Sequence, residues 1–83
     1  MYIVYILKSE KHPARHYVGL TDNLERRLGQ HNGEQSEYSS KYAPWQVETY
    51  AAFQNKDLAA QFEKYLKSGS GHAFLKKRLI GKS

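Results

Sequence analysis

The run YIVYIL at residues 2–7 constrains the fold of this chain more than any other stretch. It is apolar at nearly every position and rich in β-branched and aromatic residues, which is typical of a strand covered on both faces. The chain has 83 residues and no cysteine, so its core is thin and has no disulfide to support it. The sequence therefore predicts one domain, residues 1–83, built around this strand.

A second strand and a helix follow the first strand. The polar stretch SEKHPAR contains a proline and predicts a loop, after which HYVGL predicts the second strand of a hairpin. Asp22 with Glu25 three residues later resembles a capping box, which starts a helix. Leu24 and Leu28 lie one turn apart on the buried side of this helix.

The second half of the chain predicts one more strand and two helices. Residues 45–53 alternate in polarity, which places Val47 and Thr49 on one face of a third strand. A helical period follows until the stretch SGSG interrupts it, with Gly69 as a left-handed cap and Ser70 as the next N-cap. The element order is ββα-β-αα. This order predicts an α+β fold with a three-stranded antiparallel sheet flanked by helices.

Positive charge is concentrated at the C-terminal end of the chain. The net charge is +5; residues 64–83 carry six basic residues and no acid, whereas residues 1–63 carry seven basic and eight acidic residues. A polyanion is the natural partner for this asymmetry, and nucleic acid is favoured over a membrane because no large apolar face accompanies the charge. The alternative is a solvated basic helix whose lysines suit the negative end of its dipole.

Six basic side chains are candidates for contacts with the backbone of a nucleic acid. If about four of the five at positions 64–78 make such contacts, log K should fall against log salt with a slope of about −3 to −4. One of the six, Lys41, lies in a long polar loop, residues 33–44. The length of this loop favours a functional role; the alternative is a flexible surface loop without a function. The six are Lys41, Lys64, Lys67, Lys76, Lys77 and Arg78.

The composition also excludes several classes of protein. Without cysteine, thiolate metal sites and disulfide frameworks are ruled out, and the chain fits a reducing compartment. The run YIVYIL is too short to span a bilayer and lacks the charged n-region of a signal peptide. We therefore expect a cytoplasmic protein that does not enter membranes.

Five side chains with catalytic chemistry can meet in one cleft of the predicted fold. Arg27 and His31 are four residues apart, so they share a face of the first helix. Glu63 lies on the second helix and is the last acid in the chain. Tyr5 and Tyr17 lie on the two strands of the hairpin. Each of the five alone also has an ordinary structural interpretation, such as a core tyrosine, a solvated arginine or a surface ion pair within one helix.

Four blocks of the sequence together resemble the GIY-YIG nuclease family. They are YIVYIL, YVGLTDNLERRLGQHN, YAPWQVETYAAF and AAQFEKYLKSGSGHAFLKKRL, and they cover essentially the whole chain in the family's order. The chain is most similar to the small stand-alone bacterial members of the family. Ile3 stands where the motif has its glycine, at a position that shapes the strand and carries no chemistry. Larger family nucleases carry additional DNA-binding domains, of which this sequence shows none.

The resemblance implies a metal-dependent phosphodiesterase in which Tyr5, Tyr17, Arg27 and His31 are catalytic and Glu63 is the single metal-binding carboxylate. One Mg²⁺ or Mn²⁺ ion suits this site because Mg²⁺ binds few protein carboxylates and keeps most of its waters. Arg27 offers a planar donor fork to a phosphate. Tyr5, Tyr17 and His31 remain alternative proton acceptors. We expect Arg27 and the hydrated metal ion to lower the pKa of a nearby phenol, and His31 to titrate nearer neutrality.

The leading hypothesis is therefore an endonuclease that acts on DNA rather than RNA, in repair or recombination. One alternative is a nucleic-acid-binding module without turnover, and another is a domain that works only with a protein partner that supplies substrate specificity. The intact set of five favours the enzyme over the binding module, because a degraded site would lose Arg27 or Glu63 first.

Overall fold

Three antiparallel strands form the centre of the protein in the computed structural model, which describes residues 1–33 and 41–80. β1 spans Tyr2–Ser9, β2 spans His16–Thr21 and β3 spans Trp45–Phe53, in the order β2-β1-β3. β1 therefore pairs with a neighbour on each side. Its residues 4–7 are all buried, which confirms the prediction of a strand covered on both faces.

Helices cover both faces of the sheet. The first helix lies over one face, and the remaining helical segments lie over the other. This arrangement confirms the predicted α+β class and element order. In the parts of the chain that the structure describes, no helix is both long and apolar enough to cross a membrane. The helical segments are α1 at Leu24–Asn32, α2 at Lys56–Leu66, α3 at Gly69–Phe74 and a π-helical turn at Leu75–Leu79 that continues α3.

The alternation of side chains along β1 divides the core into two clusters. Tyr5 and Leu7 pack with Trp45 on the side of α1. Val4 and Ile6 pack against the opposite layer, which contains α2 and the π-helical turn. Each cluster is small, as expected for a chain of this length. The consequence for function is that the phenol of Tyr5 lies on the same face of the sheet as α1.

An irregularity in the pairing of β1 with β3 corrects one expectation. Val47 and Thr49 pair with consecutive residues of β1, so Glu48 between them is an extra residue on β3. A β-bulge of this kind changes the alternation of faces along the strand. Val47 packs on the α1 side, whereas the hydroxyl of Thr49 donates a hydrogen bond to the carbonyl of Leu79 on the other side. The prediction that Val47 and Thr49 share a face is therefore wrong.

The start of α1 lies one residue later than the sequence predicts. Asn23 is the N-cap, and its side-chain oxygen accepts a hydrogen bond from the backbone N–H of Arg26 at 3.0 Å. Asp22 instead pairs with the guanidinium of Arg26 at 3.1 Å. Asp22 and Asn23 are both good N-caps by residue type. Asp22 forms the ion pair, and Asn23 caps the helix.

The connection between α2 and α3 also differs from the prediction. Ser68 rather than Ser70 is the N-cap of α3, and its hydroxyl accepts from the backbone N–H of Gly71 at 3.2 Å. Gly69 lies inside α3, and none of the described glycines has a positive φ, so the predicted left-handed cap is wrong. Gly71 has a packing role instead: a Cβ atom there would lie 2.9 Å from Cα of Leu66, because the two helices meet closely.

The end of α1 is fixed to the beginning of β3. The side-chain amide of Asn32 donates to the carbonyl of Trp45 at 3.1 Å, and its oxygen accepts from the backbone N–H of the same residue. Trp45 is itself buried in the core. This paired contact holds the last turn of α1, which carries His31, against the sheet.

Candidate active site

Four of the five predicted site residues meet between the hairpin and α1. β1 carries Tyr5, β2 carries Tyr17, and α1 carries Arg27 and His31. The Tyr5 hydroxyl lies 3.0 Å from Nε2 of His31 and accepts a hydrogen bond from Nε of Arg27 at 3.3 Å. The Tyr17 ring lies 4.4 Å from the His31 ring and 6.3 Å from the Tyr5 ring, between centroids. We call these four residues the arginine–phenol cluster; their catalytic roles stay a prediction.

A glycine on β2 makes room for Tyr5. Gly19 is opposite Tyr5 in the pairing of β1 with β2. A Cβ atom on Gly19 would lie against the Tyr5 hydroxyl and 2.9 Å from Cε1 of the ring, which is closer than a packed structure tolerates. A glycine inside a strand often marks a close approach, and here the approaching group is the phenol.

The guanidinium of Arg27 is held in a fixed orientation. Its Nε donates to Tyr5, and its Nη1 donates to the side-chain oxygen of Gln30 at 2.9 Å. The hydrogen bond to Tyr5 is the main cause that raises the pKa of Arg27, and Tyr17 raises it further. The sequence interpretation missed Gln30, although its position three residues after Arg27 places both on one face of the helix.

Burial dominates the electrostatics of the two innermost groups. Tyr5 and His31 are each 1% exposed. Burial raises the pKa of Tyr5 above its ordinary value although the hydrogen bond and charge of Arg27 oppose it, so Arg27 alone does not lower the pKa of this phenol. Burial, followed by the charge of Arg27, lowers the pKa of His31 to about 4. His31 is therefore neutral at pH 7, and the expectation that it titrates near neutrality is wrong.

Glu63 lies on α2, in the layer across the sheet from α1. Its carboxylate pairs with Nζ of Lys67 at 3.1 Å, and the two side chains are 25% and 55% exposed respectively. This is the within-helix ion pair that the ordinary interpretation of Glu63 predicts. The carboxylate nevertheless contributes to the raised pKa of Tyr5. Its charge is the smallest of the causes that act on the pKa of Tyr5.

Glu63 carries the type of side chain that a divalent metal ion binds, and its role as a metal ligand stays a prediction. A partly exposed carboxylate suits Mg²⁺, which takes oxygen ligands and keeps several waters. Within residues 1–33 and 41–80, no group of three or more histidine, aspartate or glutamate side chains is placed to hold a metal. A site built on Glu63 would thus use one carboxylate and leave the other positions to water and substrate.

The six basic residues predicted to contact nucleic acid all have exposed side chains. Lys76, Lys77 and Arg78 lie on the π-helical turn, and Lys64 and Lys67 lie on α2. The sixth, Lys41, is the first residue of the described range 41–80. Residues 34–40 of the predicted long loop lie outside the described residues.

This small α+β domain holds an arginine among two phenols and an imidazole. A site with these groups is suited to phosphate chemistry. Comparison with known proteins defines the class of protein, because residues 1–77 match the GIY-YIG catalytic domain. The chain therefore belongs to the GIY-YIG family, whose members are nuclease domains and generally depend on a divalent metal ion. The family resemblance in the sequence is confirmed.

Several eukaryotic proteins are similar to this chain. The structure-specific endonuclease subunit SLX1 of Debaryomyces hansenii is 40% identical over 72 residues, which cover 78% of this chain and 21% of that protein. The SLX1 homolog of Drosophila mojavensis is 44% identical over 71 residues, or 75% of this chain and 23% of that protein. The slx1 protein of Schizosaccharomyces japonicus is 43% identical over 67 residues, or 75% and 24%. The chain thus spans roughly a fifth to a quarter of the length of these curated relatives.

Proposed function

We propose that this chain is a metal-dependent endonuclease that hydrolyses phosphodiester bonds in DNA during repair or recombination. The observation that carries the proposal is the arginine–phenol cluster, in which Arg27 is oriented by Tyr5 and Gln30 within the catalytic domain of a nuclease family. The relatives are named structure-specific endonuclease subunits, which supports a substrate recognised by its shape. Branched DNA, such as a flap, is the substrate class that we propose.

Arg27 binds the phosphate in this proposal. Two of its nitrogen atoms are already fixed by Tyr5 and Gln30, so the guanidinium does not have to reorient when the substrate arrives. A preorganised donor fork of this kind stabilises the charge that develops on phosphoryl oxygens in the transition state. Removal of one such donor typically lowers kcat by about 10²- to 10³-fold.

Tyr17 accepts the proton of the attacking water. Its side chain is half-buried, whereas Tyr5 and His31 are fully buried behind it. Tyr17 also forms a hydrogen bond with Arg27, the residue that binds the phosphate in this proposal. Tyr5 and His31 are then positioning residues: the Tyr5 oxygen orients Arg27, and the neutral imidazole orients Tyr5.

Two phenylalanine substitutions test this division of roles. Tyr17→Phe should lower kcat by about 10²-fold or more, the usual size of a lost acid–base group, and should change the pH–rate profile. Tyr5→Phe should lower kcat less, raise KM through misplacement of Arg27, and keep the wild-type pH–rate profile. The reverse pattern in two folded variants would assign the proton to Tyr5.

Glu63 would hold one divalent ion, Mg²⁺ or Mn²⁺. When bound there, the ion would polarise the phosphate and offset charge on the departing 3′ oxygen. The carboxylate of Glu63 pairs with Lys67 at 3.1 Å, so this ion pair has to break before the metal binds. An exposed pair of this kind contributes little to stability, so it breaks easily.

We further propose that a protein partner supplies much of the substrate specificity. The relatives are named subunits, and this chain spans only roughly a fifth to a quarter of their length. Residues 1–83 would then be one catalytic domain with weak affinity of its own. The absence of cysteine suits action in the reducing cytoplasm.

A cleavage assay with matched arginine variants tests the proposed function. Labelled single-stranded, duplex, nicked and flapped DNA, and an RNA flap of the same sequence, are incubated with Mg²⁺, Mn²⁺ or EDTA. Arg27→Ala is compared with Arg26→Ala, which removes the neighbouring exposed arginine that pairs with Asp22. We expect metal-dependent cutting of flapped DNA that Arg27→Ala loses and Arg26→Ala keeps. Binding without cutting under every condition would identify a binding module instead.

A further inference from the structure

A basic cavity lies beside the edge strand of the sheet. It has a volume of about 430 Å³ between the residues before β2 and the segment that joins α3 to the π-helical turn. Its polar lining consists of Arg15 and His16 from the β2 side and His72 and Lys76 from the helical side. The remaining lining residues are apolar. The cavity therefore has cationic walls and an apolar surface between them.

A second cavity extends the first towards the arginine–phenol cluster. It has a volume of about 370 Å³ and is lined by Tyr17 and Lys67, among others. The two cavities share His16, His72 and Leu75 in their linings, so they are adjacent, and we call the two together the β2 groove. One end of the β2 groove is thus at a member of the candidate active site.

The charges of the β2 groove suit a chain of phosphates. Arg15, Lys67 and Lys76 line it, and no acidic residue does so within the described parts of the protein. Arg15 is held in place by the ring of Tyr42, which lies 5.1 Å from the centre of the guanidinium. Lys67 is partly neutralised by Glu63. Arg15 and Lys76 are therefore the two strongest candidates for binding an anion.

His16, which lines both cavities, adds an observation that does not depend on the basic residues. Its Nε2 is buried and has no hydrogen-bond partner among the described residues, while the ring bonds to the backbone of Ala14. Burial is the main cause that lowers the pKa of His16, and the charges of Lys8 and His72 lower it further, although Glu48 opposes them. A phosphate in the groove would stabilise the imidazolium and compensate for the burial.

We propose that the β2 groove binds the sugar–phosphate backbone of the substrate next to the bond that is cut, with Arg15 and Lys76 as phosphate ligands. This inference rests on the proposed function, because Tyr17 belongs to both the groove and the arginine–phenol cluster. It gives the bound strand a direction, from Tyr17 along β2 towards Arg15. Apolar side chains between the cations pack against the sugars.

Binding is tested first in EDTA, where no metal-dependent cleavage occurs. The full chain is titrated with inorganic phosphate and separately with a flapped DNA oligonucleotide, while backbone and imidazole resonances are followed by NMR. We expect both probes to shift resonances of Arg15, His16, His72 and Lys76, and to raise the pKa of His16 measured from its imidazole resonances. DNA that binds without shifting these four residues would overturn the proposal.

A charge-matched pair of double variants tests the two phosphate ligands. Arg15→Gln with Lys76→Gln removes both from the groove, and Lys11→Gln with Lys56→Gln removes two exposed charges outside it. The groove variant should lessen the salt slope of log K for DNA by about 1.4 to 1.8, since each phosphate contact contributes about 0.7 to 0.9. In the cleavage assay it should raise KM and leave kcat unchanged, because it removes binding that ground and transition states share.

The outcomes separate this inference from the proposed function. Equal effects of the two double variants on DNA binding, with normal cleavage by the wild type, would refute the groove and leave the nuclease. Shifts in the groove and a reduced salt slope, without cleavage of any substrate by the wild type, would uphold the groove and refute the nuclease.

Discussion

His31 should make the stability of this protein depend on pH in the acidic range. The imidazole is fully buried, its Nε2 contacts the Tyr5 hydroxyl at 3.0 Å, and its Nδ1 has no hydrogen-bond partner within residues 1–33 and 41–80. Burial, followed by the charge of Arg27, lowers its pKa from the ordinary 6.5 to about 4. Protonation of this ring is therefore less favourable in the folded protein than in the unfolded chain.

The sign and the size of the effect follow from this difference in pKa. Between pH 6.5 and about 4, the unfolded chain binds a proton at His31 that the folded protein does not bind. Stability is therefore complete above pH 6.5 and is lost as the pH falls towards 4. At about 1.4 kcal/mol per pKa unit, the loss in the free energy of unfolding through this group is about 3 kcal/mol. His16, whose pKa burial also lowers, acts in the same direction.

Urea unfolding at a series of pH values, for the wild type and His31→Gln, isolates the contribution of His31. Glutamine keeps a polar partner for Tyr5 and does not titrate. The difference in unfolding free energy between the two proteins should change by about 3 kcal/mol from pH 8 to pH 4, in favour of the variant at low pH. His12→Gln makes the same replacement at an exposed residue and is the control. A difference that stays constant over this range would refute a buried neutral imidazole at His31.

Three further substitutions have defined expected outcomes. Gly19→Ala should displace the Tyr5 ring, so thermal unfolding should show a loss of about 1–3 kcal/mol and cleavage should fall; an unchanged melting temperature would contradict the close contact. Gly29→Ala meets no atom within 4 Å and should raise the unfolding free energy by about 1 kcal/mol; if cleavage falls nonetheless, a phosphate approaches this helix face. Lys67→Ala should free Glu63 and tighten Mn²⁺ binding roughly twofold, measured by electron paramagnetic resonance, since such pairs contribute about 0.3–0.5 kcal/mol; weaker binding would argue against Glu63 as the ligand.

The sequence predicts those parts of the fold that depend on periodicity. The unbroken apolar run of β1 requires cover on both faces, and the structure provides it with two core clusters. The bulge at Glu48 could not be predicted, because an extra residue is visible only when two strands are paired. The caps at Asn23 and Ser68 were each missed by one or two positions. At α1, Asp22 is an equally good cap by type but pairs with Arg26 instead. At α3, Ser68 and Ser70 are the same residue type, so type alone does not decide between them.

In the candidate active site, too, the sequence predicts what depends on local spacing but not what depends on tertiary packing. The spacing of Arg27 and His31 fixes a shared helix face, and the structure indeed brings both to the Tyr5 hydroxyl. The directions of the pKa shifts could not be obtained in this way. The charge of Arg27 is visible in the sequence, but the burial that outweighs it at Tyr5 comes from packing between α1 and the sheet. Gln30 was missed because a single glutamine beside an arginine is not specific to any function.

Single-turnover cleavage of flapped DNA by the wild type and Glu63→Gln, with DNA binding measured on the same samples, tests the central claim most directly. Glutamine keeps the shape of the side chain and removes the charge that a divalent ion requires. Metal-dependent hydrolysis at the arginine–phenol cluster predicts DNA binding close to that of the wild type and a loss of cutting of about 10²-fold or more in the variant. Equal cutting by both proteins, or no cutting by the wild type with either Mg²⁺ or Mn²⁺, would contradict it.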